Sequence, residues 1–315
     1  MAGLKEYGQM HLIIFIWGFT AILGLLITIP SVEIVFYRTA IASVSLGVML
    51  KVQGKPLDVG MNRMIRYLLT GVIIAAHWIL FFGSARVSTA SVCLAGMATC
   101  SFWTSFLEPL IMKRRVKPHE VFSGLIVFMG LYIIFKFEFD HALGLIMAIL
   151  SAILAALFTI VNGQFTRTAD AYTITYYEMI GATLGTALFF PVYTAWFNTP
   201  LQLIPTWMDA FYLIILAVVC TVYAYSLSVK IMQKISPFTL NLTNNLEPVY
   251  GILLALLFFG EEEQMTTAFY IGTSVILFSV LSYPYIDRSV TKYQKRKSLT
   301  QARNKQPLNI EYTQE

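Results

Sequence analysis

The sequence is short of charged residues. Only 12% of its 315 residues are Asp, Glu, Lys or Arg, whereas 57% are hydrophobic and the mean hydropathy is +0.69. Soluble domains carry about 25% charged residues, so the composition excludes an ordinary soluble globular protein. Long apolar stretches cross a membrane as helices that satisfy their own backbone hydrogen bonds. We therefore expect an all-α integral membrane protein.

The sequence also lacks the motifs of nucleotide hydrolysis and of metal binding. It contains no Gly-x-x-x-x-Gly-Lys-Ser/Thr phosphate loop and no His-Glu-x-x-His pair. The three cysteines, Cys93, Cys100 and Cys220, lie inside apolar runs without metal-binding spacing, which indicates buried packing residues. We therefore expect no ATP hydrolysis by this chain, no metal and no cofactor. The small excess of basic residues calls for no nucleic-acid partner.

Ten apolar runs approach the length of about 20 residues that a helix needs to cross a bilayer. They are predicted at Gln9–Ile29, Glu33–Leu50, Ile65–Gly83, Thr89–Met112, Glu120–Phe135, His141–Asn162, Ala171–Ala195, Met208–Met232, Pro237–Gly260 and Met265–Ile286. No small-residue cleavage site follows the first run, which favours a retained helix over a signal peptide.

The placement of the basic residues tests this count. With a cytoplasmic N-terminus (residues 1–8) and ten alternating spans, every Lys and Arg except Arg38, Arg86 and Lys136 lies on the cytoplasmic side or in the tail. Cytoplasmic loops carry an excess of Lys and Arg, and the acidic residues 261–263 fall outside. We therefore predict that both chain ends are cytoplasmic. The basic tail, residues 287–315, is predicted to be disordered near anionic lipid head groups.

The two halves of the chain resemble each other weakly. Phe36-Tyr37-Arg38 in the second span resembles Tyr176-Tyr177-Glu178 in the seventh, and Arg86-Val87-Ser88 matches Lys234-Ile235-Ser236. Because each half holds five spans, an odd number, the two halves must cross the membrane in opposite directions. We therefore predict two inverted five-helix repeats, at residues 9–136 and 141–286. Transporters built this way hold substrate near the middle of the membrane, at the repeat interface.

The ninth predicted span carries an unusual group of polar residues. Asn241, Asn244, Asn245 and Pro248 share one helix face, and Glu247 lies roughly 15 Å deep, near the midplane. A carboxylate at a helix centre costs at least ~2.5 kcal/mol on insertion scales. The group therefore predicts a solute pathway, in which Glu247 binds a proton or a substrate amine. The alternative is structural, with asparagines that join helices and a carboxylate that fixes a kink at Pro248.

These features resemble the EamA-type transporters of the drug/metabolite transporter superfamily. The resemblance covers about Met10 to Tyr285 and rests on the ten spans in two halves together with four motifs. These are Trp17-Gly18, Tyr37-Arg38, Leu246-Glu247-Pro248-Val249-Tyr250 and Gly260-Glu261. It implies a central cavity open to one side at a time and export of amino acids or other small metabolites without ATP. Many relatives carry a proline in mid-span four, where this chain has Cys100-Ser101, which leaves open whether span four is broken like span nine.

Two further charged residues lie inside predicted spans. Arg38 is roughly 12 Å below the outer surface, where it could attract a substrate carboxylate or pair with a carboxylate such as Glu33. Glu178 is its counterpart in the second half, and we regard Glu178 and Pro248 as candidate gates. A histidine and several aromatic side chains are candidate cavity walls, since rings stack on planar or hydrophobic solutes. They are Trp17, His77, Trp78, Trp103, Tyr223 and Tyr225.

The sequence therefore predicts a multi-pass secondary transporter of the bacterial inner membrane, a monomer or homodimer surrounded by lipid. We expect an exporter of small metabolites such as amino acids, with protons as the candidate coupling ion. Two other classes stay open. One is an intramembrane enzyme, not predicted here, in which Glu108, Glu247 and His77 would converge on a lipid-linked substrate. The other is a sensor or anchor whose basic tail binds a partner.

Overall fold

The protein is helical throughout the residues described by its computed structural model, namely 4–113, 115–137, 139–198, 200–260 and 265–305, and these ranges contain no β-strand. The helices of the first half are α1 (Leu4–Gly18), α2 (Thr20–Leu26), α3 (Ser31–Val52), α4 (Met61–Val87), α5 (Ala90–Met97), α6 (Cys100–Met112) and α7 (Pro118–Phe137). Those of the second half are α8 (Ala142–Phe165), α9 (Ala171–Phe197), α10 (Trp207–Ile214), a π-helical segment (Ile215–Tyr225), α11 (Ser226–Ile231), α12 (Pro237–Asn244), α13 (Glu247–Phe259) and α14 (Thr267–Lys305). The acidic residues 261–263 lie outside the described ranges.

Within these ranges, nine helical stretches are long and apolar enough to cross a membrane. A shorter apolar helix, Pro118–Ile134, occupies the place of the fifth predicted span. The nine longer stretches correspond to the other nine predicted spans. Four of these nine consist of two or more consecutive helices. The chain is therefore a multi-pass membrane protein with nine to ten membrane helices.

Polar side chains set several of the helix starts. Asp170 Oδ1 accepts hydrogen bonds from the backbone N–H groups of Tyr172 and Thr173 at the start of α9. Ser236 caps α12, and Pro237 follows at the first helical position, where the missing N–H of proline costs nothing. These caps place the polar segments Arg167–Asp170 and Gln233–Ser236 outside the helices, as the sequence pattern predicts.

Spans four and nine are both interrupted near their middles. Span four changes from α5 to α6 at Ala98 and Thr99, and span nine changes from α12 to α13 at Asn245 and Leu246. Helix α5 packs against α13, and α6 packs against α12. The first part of one broken helix therefore lies beside the second part of the other, so the two helices run antiparallel and bring their interruptions together.

The interruption in span four forms without a proline. Thr99 Oγ1 donates to the carbonyl of Gly96 at 2.8 Å, and Thr104 Oγ1 donates to that of Cys100 at 2.7 Å. Side-chain hydroxyls of this kind satisfy carbonyls at or near the break and also favour bending. The small and hydroxyl residues of span four therefore accompany an interruption like the one at Pro248 in span nine. Span four is broken although it has Cys100-Ser101 in place of a proline.

Helices α4 and α9 approach each other closely because a glycine lies on each side of their contact. A Cβ atom at Gly71 would collide with the backbone carbonyl of Glu178, and one at Gly181 would collide with that of Leu68. Small residues are the usual means of close helix packing in membranes. This contact also fixes the backbone position of Glu178, which lies at the site described below.

The described part of the tail is helical rather than disordered. Helix α14 runs from the last span to Lys305. Residues 287–305 contain no Pro or Gly and are rich in Lys, Arg and Gln, which are good helix formers. The helix therefore extends beyond its apolar part. Polarity alone predicted disorder there. Residues 306–315 lie outside the described ranges.

Substitution of Gly71 by Ala is expected to lower the thermal stability of the detergent-purified protein. The added methyl group has only backbone to displace, and overpacking of this kind costs about 1–3 kcal/mol. Gly8→Ala is the matched control, because a Cβ there meets no atom within 4 Å. Thermal unfolding followed by size-exclusion chromatography measures the effect, and equal midpoints for the two variants would contradict the close contact.

Candidate functional site

A cavity of about 90 Å³ lies between the two halves, next to the interruptions of spans four and nine. Residues from α1, α3, α4, α8, the π-helical segment, α12 and α13 are among those that line it. The sequence-predicted residues on its wall are Trp17, Arg38, His77, Trp78, Tyr225, Asn241, Asn244, Asn245, Glu247 and Pro248. Both repeats therefore contribute ionisable, polar and aromatic side chains to one cavity.

Arg38 is buried, with 2% of its surface exposed, and it has no ion-pair partner within 4.0 Å among the described residues. Its Nε donates to Thr221 Oγ1 at 2.7 Å. The guanidinium carbon lies 4.0 Å from the centre of the Trp78 ring, a cation–π contact that offsets part of the cost of burial. The alternative in which Glu33 pairs with Arg38 is not realised, since Glu33 Oε1 accepts from the backbone N–H of Gln202.

Glu247 begins α13 at the interruption of span nine, and its carboxyl group lies on the cavity wall. The group makes no hydrogen bond to any described residue, so the structure gives no sign that it fixes the kink through side-chain bonds. It interacts electrostatically with Arg38 across the cavity without forming an ion pair. The cavity therefore holds one guanidinium group and one carboxyl group that are not paired with each other.

Two of the three asparagines join the broken helices. Asn245 Nδ2 donates to Ser101 Oγ at 2.7 Å, and Asn241 Nδ2 donates to Thr104 Oγ1 at 2.8 Å. Asn244 differs, because its buried Oδ1 has no hydrogen-bond partner among the described residues. All three line the cavity, so the two roles that the sequence left open, pore lining and helix joining, coexist at Asn241 and Asn245.

His77 is a packed, hydrogen-bonded residue on the cavity wall. Its Nδ1 lies 2.9 Å from the carbonyl oxygen of Ser151 and 2.7 Å from Ser151 Oγ. Its ring packs on Phe158, with 5.3 Å between the ring centres. The enzyme alternative requires Glu108 to converge with His77 and Glu247, but Glu108 is not among the residues that line this cavity.

Tyr225 connects the cavity to a buried carboxyl group. Its ring lines the cavity, and its hydroxyl donates to Glu178 Oε2 at 3.0 Å and accepts from Asn162 Nδ2 at 2.9 Å. Glu178 itself is completely buried and does not line the cavity. The structure thus places this candidate gate behind the wall, where Tyr225 separates it from the interior.

Tyr223 and Trp103 are not on the cavity wall. Tyr223 is 48% exposed on the outside of the bundle, because the π-helical segment sets the direction of its side chains differently from an α-helix. The Trp103 ring packs on Phe102 and donates from Nε1 to Thr99 Oγ1 at 3.2 Å. Neither of these two predicted lining residues therefore contacts this cavity, whereas Trp17 does line it and donates from Nε1 to the Cys220 carbonyl at 3.1 Å.

Sequence reasoning missed several lining residues, and the sixth span and the stretch after the π-helical segment contribute some of them. They include Thr20, Phe81, Met97, Phe158, Thr159, Ser228 and Met232. Part of the signal was present in α8, since Ser151, Phe158 and Asn162 recur at the spacing of one helix face. Polar residues in an otherwise apolar span mark the face that points inward.

The comparisons with known proteins agree with this architecture. The model of the EamA-like transporter family matches residues 6–136 and again residues 142–283. The chain belongs to the EamA-like transporter family. The double match shows that this EamA-like protein consists of two copies of the family unit. No curated protein matches the sequence.

Solved structures share the fold of this EamA-like protein. Matches were found to 26 chains. One of them, described as the crystal structure of a protein, aligns with a TM-score of 0.67 and covers 92% of this chain and 99% of its own length. Its sequence identity is 13%, so this likeness concerns the fold alone.

Asn245 and Ser101 should show a favourable coupling free energy of unfolding in a double-mutant cycle. Their hydrogen bond joins the two broken helices, and such bonds in membrane bundles contribute about 0.6 kcal/mol, with a maximum near 1.7 kcal/mol. The variants are Asn245→Ala, Ser101→Ala and the double substitution, measured by unfolding in mixed micelles.

The matched cycle uses Asn244→Ala with Ser101→Ala. Asn244 lies one residue away and lines the same cavity, but no bond to Ser101 is present. Its coupling to Ser101 should be close to zero. Equal coupling in the two cycles would contradict the assignment of Asn245 as the residue that joins the halves.

Proposed function

We propose that this EamA-like protein is a secondary transporter that exports small metabolites, amino acids among them, across the bacterial inner membrane. Transport would occur by alternating access, with the two repeats rocking around the cavity between them. The observation that carries the proposal is the cavity lined by both repeats, with the guanidinium group of Arg38 and the carboxyl group of Glu247 on its wall and no ion pair between them. In membrane proteins such groups mark substrate or ion pathways.

The two charges support a zwitterionic substrate. A buried charge without a partner is unfavourable, and Arg38 and Glu247 are not close enough to pair with each other. A substrate carboxylate would bind the Arg38 guanidinium, and a substrate ammonium group would bind Glu247. An α-amino acid carries both groups, and it would therefore satisfy both residues at once.

The aromatic wall supports an apolar substrate side chain. Trp17, Trp78, Phe81, Phe158 and Tyr225 surround the same space. Rings of this kind provide apolar contact area at a small cost in conformational entropy. We therefore place hydrophobic and aromatic amino acids first among the candidate substrates.

The proposal includes an inverted arrangement of the repeats with both chain ends in the cytoplasm. It is supported by the excess of Lys and Arg on one side of the predicted topology and by the antiparallel packing of the two broken helices. A green fluorescent protein fused after Lys305 should fluoresce, and alkaline phosphatase at that position should be inactive. Fusions after Leu203, in the loop before α10, should give the opposite result; the same signal at both positions would contradict the topology.

Flux through proteoliposomes tests the site. Wild-type protein should exchange labelled hydrophobic amino acids in a saturable manner. Arg38→Gln and Glu247→Gln should each lower the rate by at least about tenfold, since a hydrogen bond to a charged group contributes roughly 1.5–3 kcal/mol. Arg38→Gln should spare amines that lack a carboxylate, because it removes only the partner of that group.

Tyr223→Phe is the matched control for these variants. Tyr223 belongs to the π-helical segment, as Tyr225 does, but its side chain is exposed outside the cavity. The flux of Tyr223→Phe should therefore equal that of the wild type. Normal flux in folded Arg38→Gln and Glu247→Gln, or absence of flux for every amino acid and metabolite tested, would contradict the proposed site.

We further propose that protons drive transport through Glu247, since a proton and a substrate ammonium group would compete for the same carboxylate. In Glu247→Gln a pH gradient should no longer raise the extent of accumulation, although slow exchange persists. The measurement is flux with and without an imposed gradient in matched liposomes. An undiminished gradient effect in the folded variant would remove Glu247 from the coupling mechanism.

A further inference from the structure

A second carboxyl site lies behind the wall of the cavity, formed by Glu178, Asn162 and Tyr225. Each of these side chains is buried, with exposed fractions of 0–3%. They come from three different stretches, namely α8, α9 and the end of the π-helical segment. Tyr225 is at the centre, since its hydroxyl accepts from Asn162 Nδ2 and donates to Glu178 Oε2.

Two acceptors of the cluster lack a donor. Glu178 Oε1 and Asn162 Oδ1 are buried and have no hydrogen-bond partner among the described residues. A buried acceptor without a donor is unfavourable, above all on an ionised carboxylate. One additional hydrogen on Glu178 would remove the charge and supply a donor to this cluster of oxygens.

The charged and titratable neighbours do not neutralise a Glu178 carboxylate. No Lys or Arg nitrogen among the described residues lies within 4.0 Å of it. On α4 the titratable neighbour is Tyr67, which itself interacts with Arg63. On α3 the buried cation is Arg38, which is bonded to Thr221. Lys230 on α11 lies over the Tyr172 ring, so Tyr225 is the titratable group that bonds Glu178 directly.

The cluster suits a proton better than a metal cation. The Tyr225 hydroxyl hydrogen points at Glu178, and an Asn162 amide hydrogen points at Tyr225. Donor hydrogens directed into a cluster oppose a cation. The same hydrogens can be rearranged around an added proton. A protonated Glu178 can donate to the Tyr225 oxygen. Rotation of the Asn162 amide then brings its oxygen to the Tyr225 hydroxyl, which donates to it.

We propose that Glu178 is a proton-binding site whose occupancy is transmitted to the cavity by Tyr225. A proton from water binds a carboxylate oxygen, and its release reverses the direction of the hydrogen bond to Tyr225. The Tyr225 ring lies 6.0 Å from that of Trp78 and 6.1 Å from that of Phe158, centre to centre. A change at Glu178 therefore acts on the aromatic wall. The link to flux rests on the proposed transport function, but proton binding itself does not.

Infrared difference spectroscopy of the reconstituted protein, taken between alkaline and acidic buffer, tests this inference. The wild type should show a carbonyl stretching band of a buried protonated carboxyl group. Glu178→Gln should lose a component of that band that Glu247→Gln retains. Glu120→Gln is the matched control, because Glu120 is equally buried but is bonded to Lys117 and Tyr283, and it should leave this component unchanged.

Tyr225→Phe keeps the carboxyl group and removes its hydrogen-bond partner. The band component should then persist and shift to higher frequency, a change that a purely structural role of Glu178 would not produce. This variant decides the question if Glu178→Gln does not fold. A component that does not shift in Tyr225→Phe, or that persists in Glu178→Gln, overturns the proposal.

Sodium provides a further discriminating measurement. Addition of sodium chloride at constant pH should leave the Glu178 component unchanged, with choline chloride as the control for ionic strength. Loss of the component with sodium alone would assign the cluster to a metal cation and overturn the proton site. Because no substrate is used, a protein that binds this proton but moves no amino acid contradicts the proposed function alone.

Discussion

The rest of the structure depends on the contact between the two broken helices. In hydrocarbon, a backbone group without a partner costs several kcal/mol, so an interrupted span persists only where side chains or a cavity compensate for the lost bonds. Asn241 on α12 donates to Thr104 on α6, and Asn245, directly after α12, donates to Ser101 on α6. Each broken helix therefore supplies polar side chains beside the interruption of the other. The cavity lies next to these interruptions, where the polar residues of the two spans are located.

The placement of the membrane helices could be predicted because it follows from the hydrophobicity of successive residues along the chain. The polar face of Asn241, Asn244 and Asn245 could be found in the same way, since an α-helical face is a matter of spacing. The interruption in span four could not be predicted with certainty. It depends on hydroxyl groups such as that of Thr99, which bond to carbonyls only in the folded arrangement. In span nine, by contrast, Pro248 predicts the interruption from the sequence.

Tyr223 and Tyr225 show why a cavity wall is harder to predict than a span. Both are aromatic and belong to the same apolar stretch, yet one is 48% exposed and the other 3% exposed. The stretch is π-helical, with backbone bonds that reach five residues instead of four, and nothing in its composition signals this. Glu178 was found through its repeat position, but its burial behind Tyr225 depends on the close glycine contact between α4 and α9. In the tail, helix propensity outweighed the polarity that suggested disorder.

The π-helical segment connects Arg38 at the cavity with the buried Glu178. Thr221 bonds to the carbonyl of Leu216, five residues earlier, and also accepts from Arg38. Tyr225 ends the same segment and bonds to Glu178. A π-helix has poorer hydrogen-bond geometry than an α-helix and is commonly found at functional sites. If Arg38 binds a carboxylate, as we propose, and its guanidinium group moves away from Thr221, the movement would act on the segment that also positions Tyr225. The segment is therefore a physical connection between Arg38 and the buried Glu178.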